Sequence, residues 1–419
     1  MKFLLKACNI IAPESEFNDR QSDILIENGI ISEIKPGIRT KADLVVEADN
    51  LHVSAGWFDA RVNFCDPGLE HLEDISSGMR AAEAGGITGV GLNPATYPII
   101  SNKSQIEYVI SKCSGSPVEI FPMGSLSNEM KGEGLAEMFE MKTAGAIAFS
   151  DSHQSVSAGL MYRALLYAKN FDGKVISHPY DRSIFGNGFV HEGSASTLTG
   201  LKSIPSLAEE IIVQRDLSLL DYTQGSLHFS GISSEGSVAL IRNARKKGKP
   251  VTADVYVQNL IFTEQDILGF DSTFKVLPPL RSAKDRKALI AGLVDGTIDF
   301  VCSDHSPQNT ELKEVEFDHA GFGMIGMQTL FAALNSVKEL TLEQKIRLIS
   351  DAPRRFFGLT AEIKPGAMAN LTVFDPDHEQ EFRNSDILSK SKNSPFVGKK
   401  MKGKVIAIVN KGMLSHFGE

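Results

Sequence analysis

A short set of carboxylates and histidines carries this chain's potential for chemistry, and most of them follow apolar runs. Asp304 and His305 come after Phe300-Val301-Cys302, Asp151 and His153 after Ala146-Ile147-Ala148-Phe149, and His178 after Val175-Ile176. Carboxylates and neutral imidazoles move protons and hold metal ions, so these are the residues to place. Each also has a plainer reading. His178, just before Pro179, is open to two: a ligand, or a hydrogen-bonded turn histidine. His228 lies within a strand-like run and reads as a satisfied core histidine, and His191 reads as a loop residue. Cys65 has no histidine base near it in sequence and reads as an inert buried thiol.

The elements that must position them alternate. Between residues 55 and 360, apolar β-type runs (Gly89 to Leu92, Val118 to Phe121, Ala146 to Phe149, Val175-Ile176, Ser226 to Phe229, Val251 to Val255, Phe300 to Cys302) are interleaved with helical patterns. Leu207 to Leu220, Ser237 to Lys247 and Ala283 to Val294 are the clearest of these. Strand and helix in turn specify parallel βαβ units, and about eight of them make a barrel whose functional groups sit at the C-terminal strand ends. Residues 1–54 and 361–419 differ in texture. They carry short β-runs separated by turn pairs such as Asn28-Gly29 and Pro36-Gly37, which predicts one small β domain built from both ends of the chain.

Composition narrows the function classes. The chain has 419 residues, a hydrophobic share of 42% and a formal net charge of −9, which argues against a nucleic-acid partner. No stretch is long enough to span a membrane and the start does not read as a cleavable signal. The four cysteines (Cys8, Cys65, Cys113, Cys302) form no CxxC pair and read as reduced thiols, so a cytoplasmic setting is expected.

Many short motifs follow one another in an order that resembles the dihydroorotases, cyclic amidohydrolases of the amidohydrolase superfamily. They include Asp66-Pro67-Gly68, Glu73-Asp74-Ile75, Asn93-Pro94-Ala95-Thr96, Gly145 to Asp151, Glu192-Gly193, Lys275 to Arg281 with its Leu277-Pro278-Pro279, Asp295 to Asp299, Ser303 to Pro307, Ile363 to Leu371 and Asn393 to Gly398. The resemblance implies a distorted TIM (β/α)8 barrel with a small β-sandwich from both chain ends. It also implies reversible hydrolysis of the cyclic amide of dihydroorotate in pyrimidine biosynthesis, with one or two zinc ions activating water and an aspartate carrying the proton. Asp304 matches that aspartate, and Asp151, His178 and Asp304 match metal-binding positions.

Other matched positions depart from the family's pattern. The family's His-x-His is Arg61-Val62-Asn63 here, its substrate-clamping arginine is Cys65, and an asparagine is Ala95. A metal histidine before Val-Ser is replaced in Gly231-Ile232-Ser233, a Pro-His-His by Val257-Gln258-Asn259, a substrate asparagine by Leu277, and a later histidine by Gln308. The expected pocket is therefore Arg61, Asn63, Cys65, Ala95, Leu277, His305 and Gln308, with zinc weakly held or missing. An arginine repels a metal ion, and beside Asp151 and Asp304 it could form a buried ion pair instead. Three roles follow as expectations. One is a non-catalytic family member partnering a protein such as aspartate transcarbamoylase. The second is an active dihydroorotase with a reduced single-metal site, and the third a cyclic-amide hydrolase or binder of altered specificity. By resemblance the chain is expected to form a homodimer.

Overall fold

The computed structural model describes residues 1–113 and 115–417. Seventeen strands organise it. The first five are β1 (Lys2–Ile11), β2 (Gln21–Glu27), β3 (Ile30–Lys35), β4 (Leu44–Val46) and β5 (His52–Ala55). They join the last three, β15 (Leu371–Glu381), β16 (Lys400–Asn410) and β17 (Met413–His416), in one eight-stranded sheet of order β17-β16-β15-β5-β1-β2-β3, with β4 on β1. The Asn28-Gly29 turn closes the β2–β3 hairpin with both residues at positive φ (52° and 81°), the conformation that this dipeptide favours. The two chain ends meet where β5 runs antiparallel to β15, Val53 facing Val373. Apolar residues from both ends, including Leu5, Ile24, Val53, Leu371 and Val409, share one core.

Between them lie β6 (Trp57–Val62), β7 (Ile87–Leu92), β8 (Glu119–Pro122), β9 (Val175–Ser177), the short β10 (Val190–His191) and β11 (Ser203–Ile204), β12 (Leu227–Phe229), β13 (Val251–Tyr256) and β14 (Phe300–Cys302). β6-β7-β8 and β9-β12-β13-β14 are two parallel sheets. The segment around Phe149 joins them on one side, bridged to Gly124 and Val175, and Val62 bridges His305 on the other, so eight chain segments form a ring. Ala146 to Phe149, expected as a strand, therefore appears as a line of single bridges. Helices over Leu207–Thr223, Glu235–Lys246 and Ala283–Val294 pack outside, close to the predicted spans. Trp57 packs on Phe331 and Phe374 (ring centroids 4.6 and 5.2 Å apart), an aromatic contact that fixes the barrel against the end sheet.

Candidate functional site

Period-two alternation along β6 puts Asp59 and Arg61 on one face, and both are buried. The Arg61 guanidinium reaches across to a residue two past β14: its Nε donates to Asp304 Oδ1 at 3.0 Å, with 2% of each residue exposed. Arg61 Nη2 lies 3.4 Å from Ser152 Oγ, and its Cζ stands 5.6 Å from the centroid of the Tyr256 ring at the end of β13. Asp304 and Ser152 both have left-handed backbones (φ 47° and 53°), a conformation costly outside glycine and concentrated at functional sites. Burial pushes the Asp304 carboxyl up to about 7 against the opposing pull of Arg61.

Two histidines complete the group. His178, one residue past β9, is 1% exposed and neither ring nitrogen has a hydrogen-bond partner among the described residues. Its ring centroid is 4.8 Å from that of His153, whose Nε2 is 3.9 Å from Asp304 Oδ1 and whose Nδ1 is also without a partner. Burial, reinforced by the nearby Arg61 charge, holds both imidazoles well below the ordinary histidine range, so they are neutral near pH 7.

Other expected site residues are employed elsewhere. The Asp151 carboxylate does not join Asp304 and His178. It faces the 126–127 loop, accepting from the Leu126 and Ser127 amides (both 2.9 Å) and from the Ser127 hydroxyl. The residue that faces Arg61 in its place is Ser152. Asn63 gives its amide hydrogens to His305 O and Ser306 Oγ and accepts from Asn93, so it ties β6 to the segment after β14. The His305 ring is turned to Glu73 (3.4 Å) and accepts from the Gly326 amide. Leu277 packs with Tyr180 and Ile204, Ala95 is half-buried, and Gln308 lies against Gly321. Cys65 is buried and its thiol is pushed up to about 12, an unreactive state. His228 is a core residue, bonded to Thr252 (2.8 Å) and Asp254 (2.9 Å). His191, expected in a loop, lies instead in β10 beside Arg281, because a second buried ion pair, Arg281–Glu209 (3.1 Å), draws Tyr180, Ser206, Ser233 and His191 around it.

Tyr256 was not legible as a site residue. A Cβ built on Gly231 would stand 2.4 Å from Tyr256 Cζ, so the phenol ring fills the space that any side chain at 231 would occupy.

A dihydro-orotase-like family model matches residues 51–237. A protein named dihydroorotase from Citrifermentans bemidjiense is 40% identical over 99% of both chains, and one from Ruminiclostridium cellulolyticum is 40% identical over 95% of this chain and 94% of its own. The chain belongs to the dihydroorotase family. Its fold is that of solved amidohydrolases, including an L-hydantoinase (dihydropyrimidinase) from Arthrobacter aurescens (TM-score 0.88, 23% identity, 100% of this chain and 96% of that one). The dihydropyrimidinase from Brevibacillus agri is similar too (TM-score 0.84, 20% identity, 99% and 95%).

Zinc, which dihydroorotase resemblance implies, does not fit this family member's centre as it stands. The Arg61 guanidinium bonds the Asp304 oxygen that would face a cation, the Asp151 carboxylate is turned away, and Tyr256 closes the space at Gly231. Among the described residues, no three His, Cys, Asp or Glu side chains are placed to share a metal ion. The centre can hold a buried charge pair and exclude water. No hydrolytic step through a bound metal can be derived from it.

Proposed function

We propose that this dihydroorotase-family protein does not itself hydrolyse dihydroorotate and acts in pyrimidine biosynthesis as a binding member, with aspartate transcarbamoylase the first partner to try. One observation carries the reading: the buried Arg61–Asp304 ion pair, 3.0 Å long, where a cation and a free carboxylate would have to be. Proton carriage by Asp304 requires a carboxylate free to exchange with substrate or water, and a guanidinium locked to it opposes both. A cytoplasmic homodimer is the setting we expect for this role. Consistent with that setting, no helix among the described residues is long and apolar enough to cross a membrane.

A second reading has a specific observation in its favour. Relatives 40% identical over 99% of the chain carry the name dihydroorotase, which favours an active enzyme with a reduced metal site. One experiment separates the two: dihydroorotate turnover by the purified chain, with and without added zinc, beside the Asp304→Asn variant. We expect no turnover above that variant. Turnover that Asp304→Asn abolishes would replace our reading with the enzymatic one. Turnover of other cyclic amides alone, lost in Arg61→Ala, would instead establish altered specificity.

A further inference from the structure

Residues 264–275 and 310–323 belong to the connections that follow β13 and β14, on the C-terminal side of the barrel. Each loop is pinned to the other by a buried lysine. Lys313 Nζ donates to Ser272 O (2.8 Å), Lys275 O (3.3 Å) and Gly321 O (2.8 Å), and Lys275 Nζ donates in return to Asp318 O (2.8 Å). The Lys275 ammonium also packs among the Phe189, Phe322 and Phe317 rings, whose centroids are 4.2, 5.1 and 5.8 Å away. The two loops therefore form one fixed support, with both of their cations turned inward.

The outward surface is apolar where loops are ordinarily polar. Phe270 is 50% exposed, and Leu268, Leu312 and Val315 are each 39% exposed. The Lys313–Ser272 tie brings these two pairs onto adjoining loops. Phe270 is displayed on a left-handed backbone (φ 55°), a costly conformation for a bulky residue. Large apolar side chains grouped on a rigid support mark an interaction surface, because little ordering entropy is lost when a partner covers them.

Charge then selects the partner. The same loops expose Asp266, Asp271, Glu311, Glu314, Glu316 and Asp318, and they expose no Lys or Arg. Asp318 meets the neighbouring His319 (4.0 Å), and Lys399 approaches the edge of the surface over the Phe274 ring (5.7 Å). A second copy docking by this face would set carboxylate against carboxylate. Nucleic acid and anionic lipid are repelled for the same reason. Among the described residues no three His, Cys, Asp or Glu side chains are placed to share a metal ion, so the acidic groups are spread over the surface rather than gathered on a cation.

We infer that the 264–275 and 310–323 loops form a docking surface for a partner protein that presents large apolar side chains ringed by Lys and Arg. The inference deepens the binding role proposed above and rests on it. Dihydroorotate turnover would end that reading without touching this surface, and the peptide test below can fail in a chain with no turnover.

The test uses the folded full chain. Displayed random-sequence peptides are selected on it, and the enriched ones are titrated by fluorescence anisotropy against wild type, Phe270→Asn/Leu312→Gln and Glu311→Lys/Glu314→Lys. Asn suits a left-handed backbone and Gln a helical one, so the first pair removes apolar surface without straining the loops. The expected peptides combine Lys or Arg with Leu, Phe or Trp. Each double variant should bind them at least about tenfold more weakly, and added salt should weaken wild-type binding more than that of the charge-reversed variant. No enriched peptide, enriched peptides without basic residues, or binding unchanged in either variant overturns the inference. A wild-type dimer that Phe270→Asn/Leu312→Gln dissociates in sedimentation velocity also overturns it, since a second copy would then cover this face. If the first variant does not fold, the charge-reversed one decides on the same outcomes.

Discussion

Replacing Arg61 by methionine keeps much of the side-chain volume but leaves Asp304 buried without its cation. Removing one partner of a buried ion pair costs about 3–5 kcal/mol. An unfolding entropy of about 2.1 cal/mol/K per residue gives roughly 0.9 kcal/mol/K for 419 residues, so Tm should fall by about 3–6 °C. The pH dependence is the sharper test. Asp304 has a folded pKa of about 7, above the ordinary range, so its contribution is full at low pH and is lost as pH rises through 7. Without Arg61 the carboxyl rises further and that loss continues to higher pH. The gap between wild type and Arg61→Met should therefore widen by up to about 1.4 kcal/mol between pH 7 and 8. Urea unfolding at pH 6, 7 and 8 measures it, with Arg61→Met/Asp304→Leu completing the cycle. The double variant should recover most of the stability, since a buried pair is often replaceable by apolar groups. A gap that is constant or narrows with pH, or a double variant no better than the single, would refute the ion-pair account.

Gly231→Ala should destabilise the protein by about 2–4 kcal/mol, because its φ is 70° and the new methyl would strike the Tyr256 ring; Tyr256→Leu in the same chain should return part of that loss in a thermal melt. Glu209→Gln strips the buried Arg281 of its counter-charge and should cost about 3–5 kcal/mol by urea denaturation. Lys313, whose Nζ donates to the carbonyls of Ser272, Lys275 and Gly321, is pushed down to about 7 by burial, and Lys275 to about 8. The unfolded chain binds more protons than the folded one above these values, so their contribution grows as pH rises from 7 towards 10. The stability lost in Lys313→Met should accordingly be larger at pH 9 than at pH 7. Cys65 should resist iodoacetamide in the folded chain and react on unfolding, as mass spectrometry of labelled peptides would report.

Much of the architecture could be read from local pattern. The helix at Ala283–Val294 and the Asn28-Gly29 hairpin appear where periodicity and turn chemistry put them, because each is decided by neighbours in sequence. The departures of Arg61 and Gly231 from the family's pattern were equally plain. What was not legible depends on direction. At a strand end adjacent residues face opposite sides, and the left-handed backbone at Ser152 sends Asp151 to the 126–127 loop and leaves Ser152 facing Arg61. Nor does a single sequence reveal that Tyr256 covers Gly231 from the next strand, since that contact depends on register between β12 and β13. Asn63 and His305 were expected in the pocket, yet the Asn63 amide is spent joining β6 to the segment after β14, and the His305 ring accepts from the Gly326 amide.

The sheet shared by the two chain ends has a consequence for the order in which this protein can be made. The Trp57 amide waits for the Thr372 hydroxyl, 315 positions later, and β5 lacks its β15 neighbour for the same interval. At about 5–20 residues per second that is roughly 15–60 s of synthesis during which β5 presents an unpaired edge beside an apolar surface. The growing chain thus carries its own sticky end ahead of a barrel still being assembled. Ribosome-associated holding factors, which cover such edges, would protect the N-terminal strands until the C-terminal ones arrive.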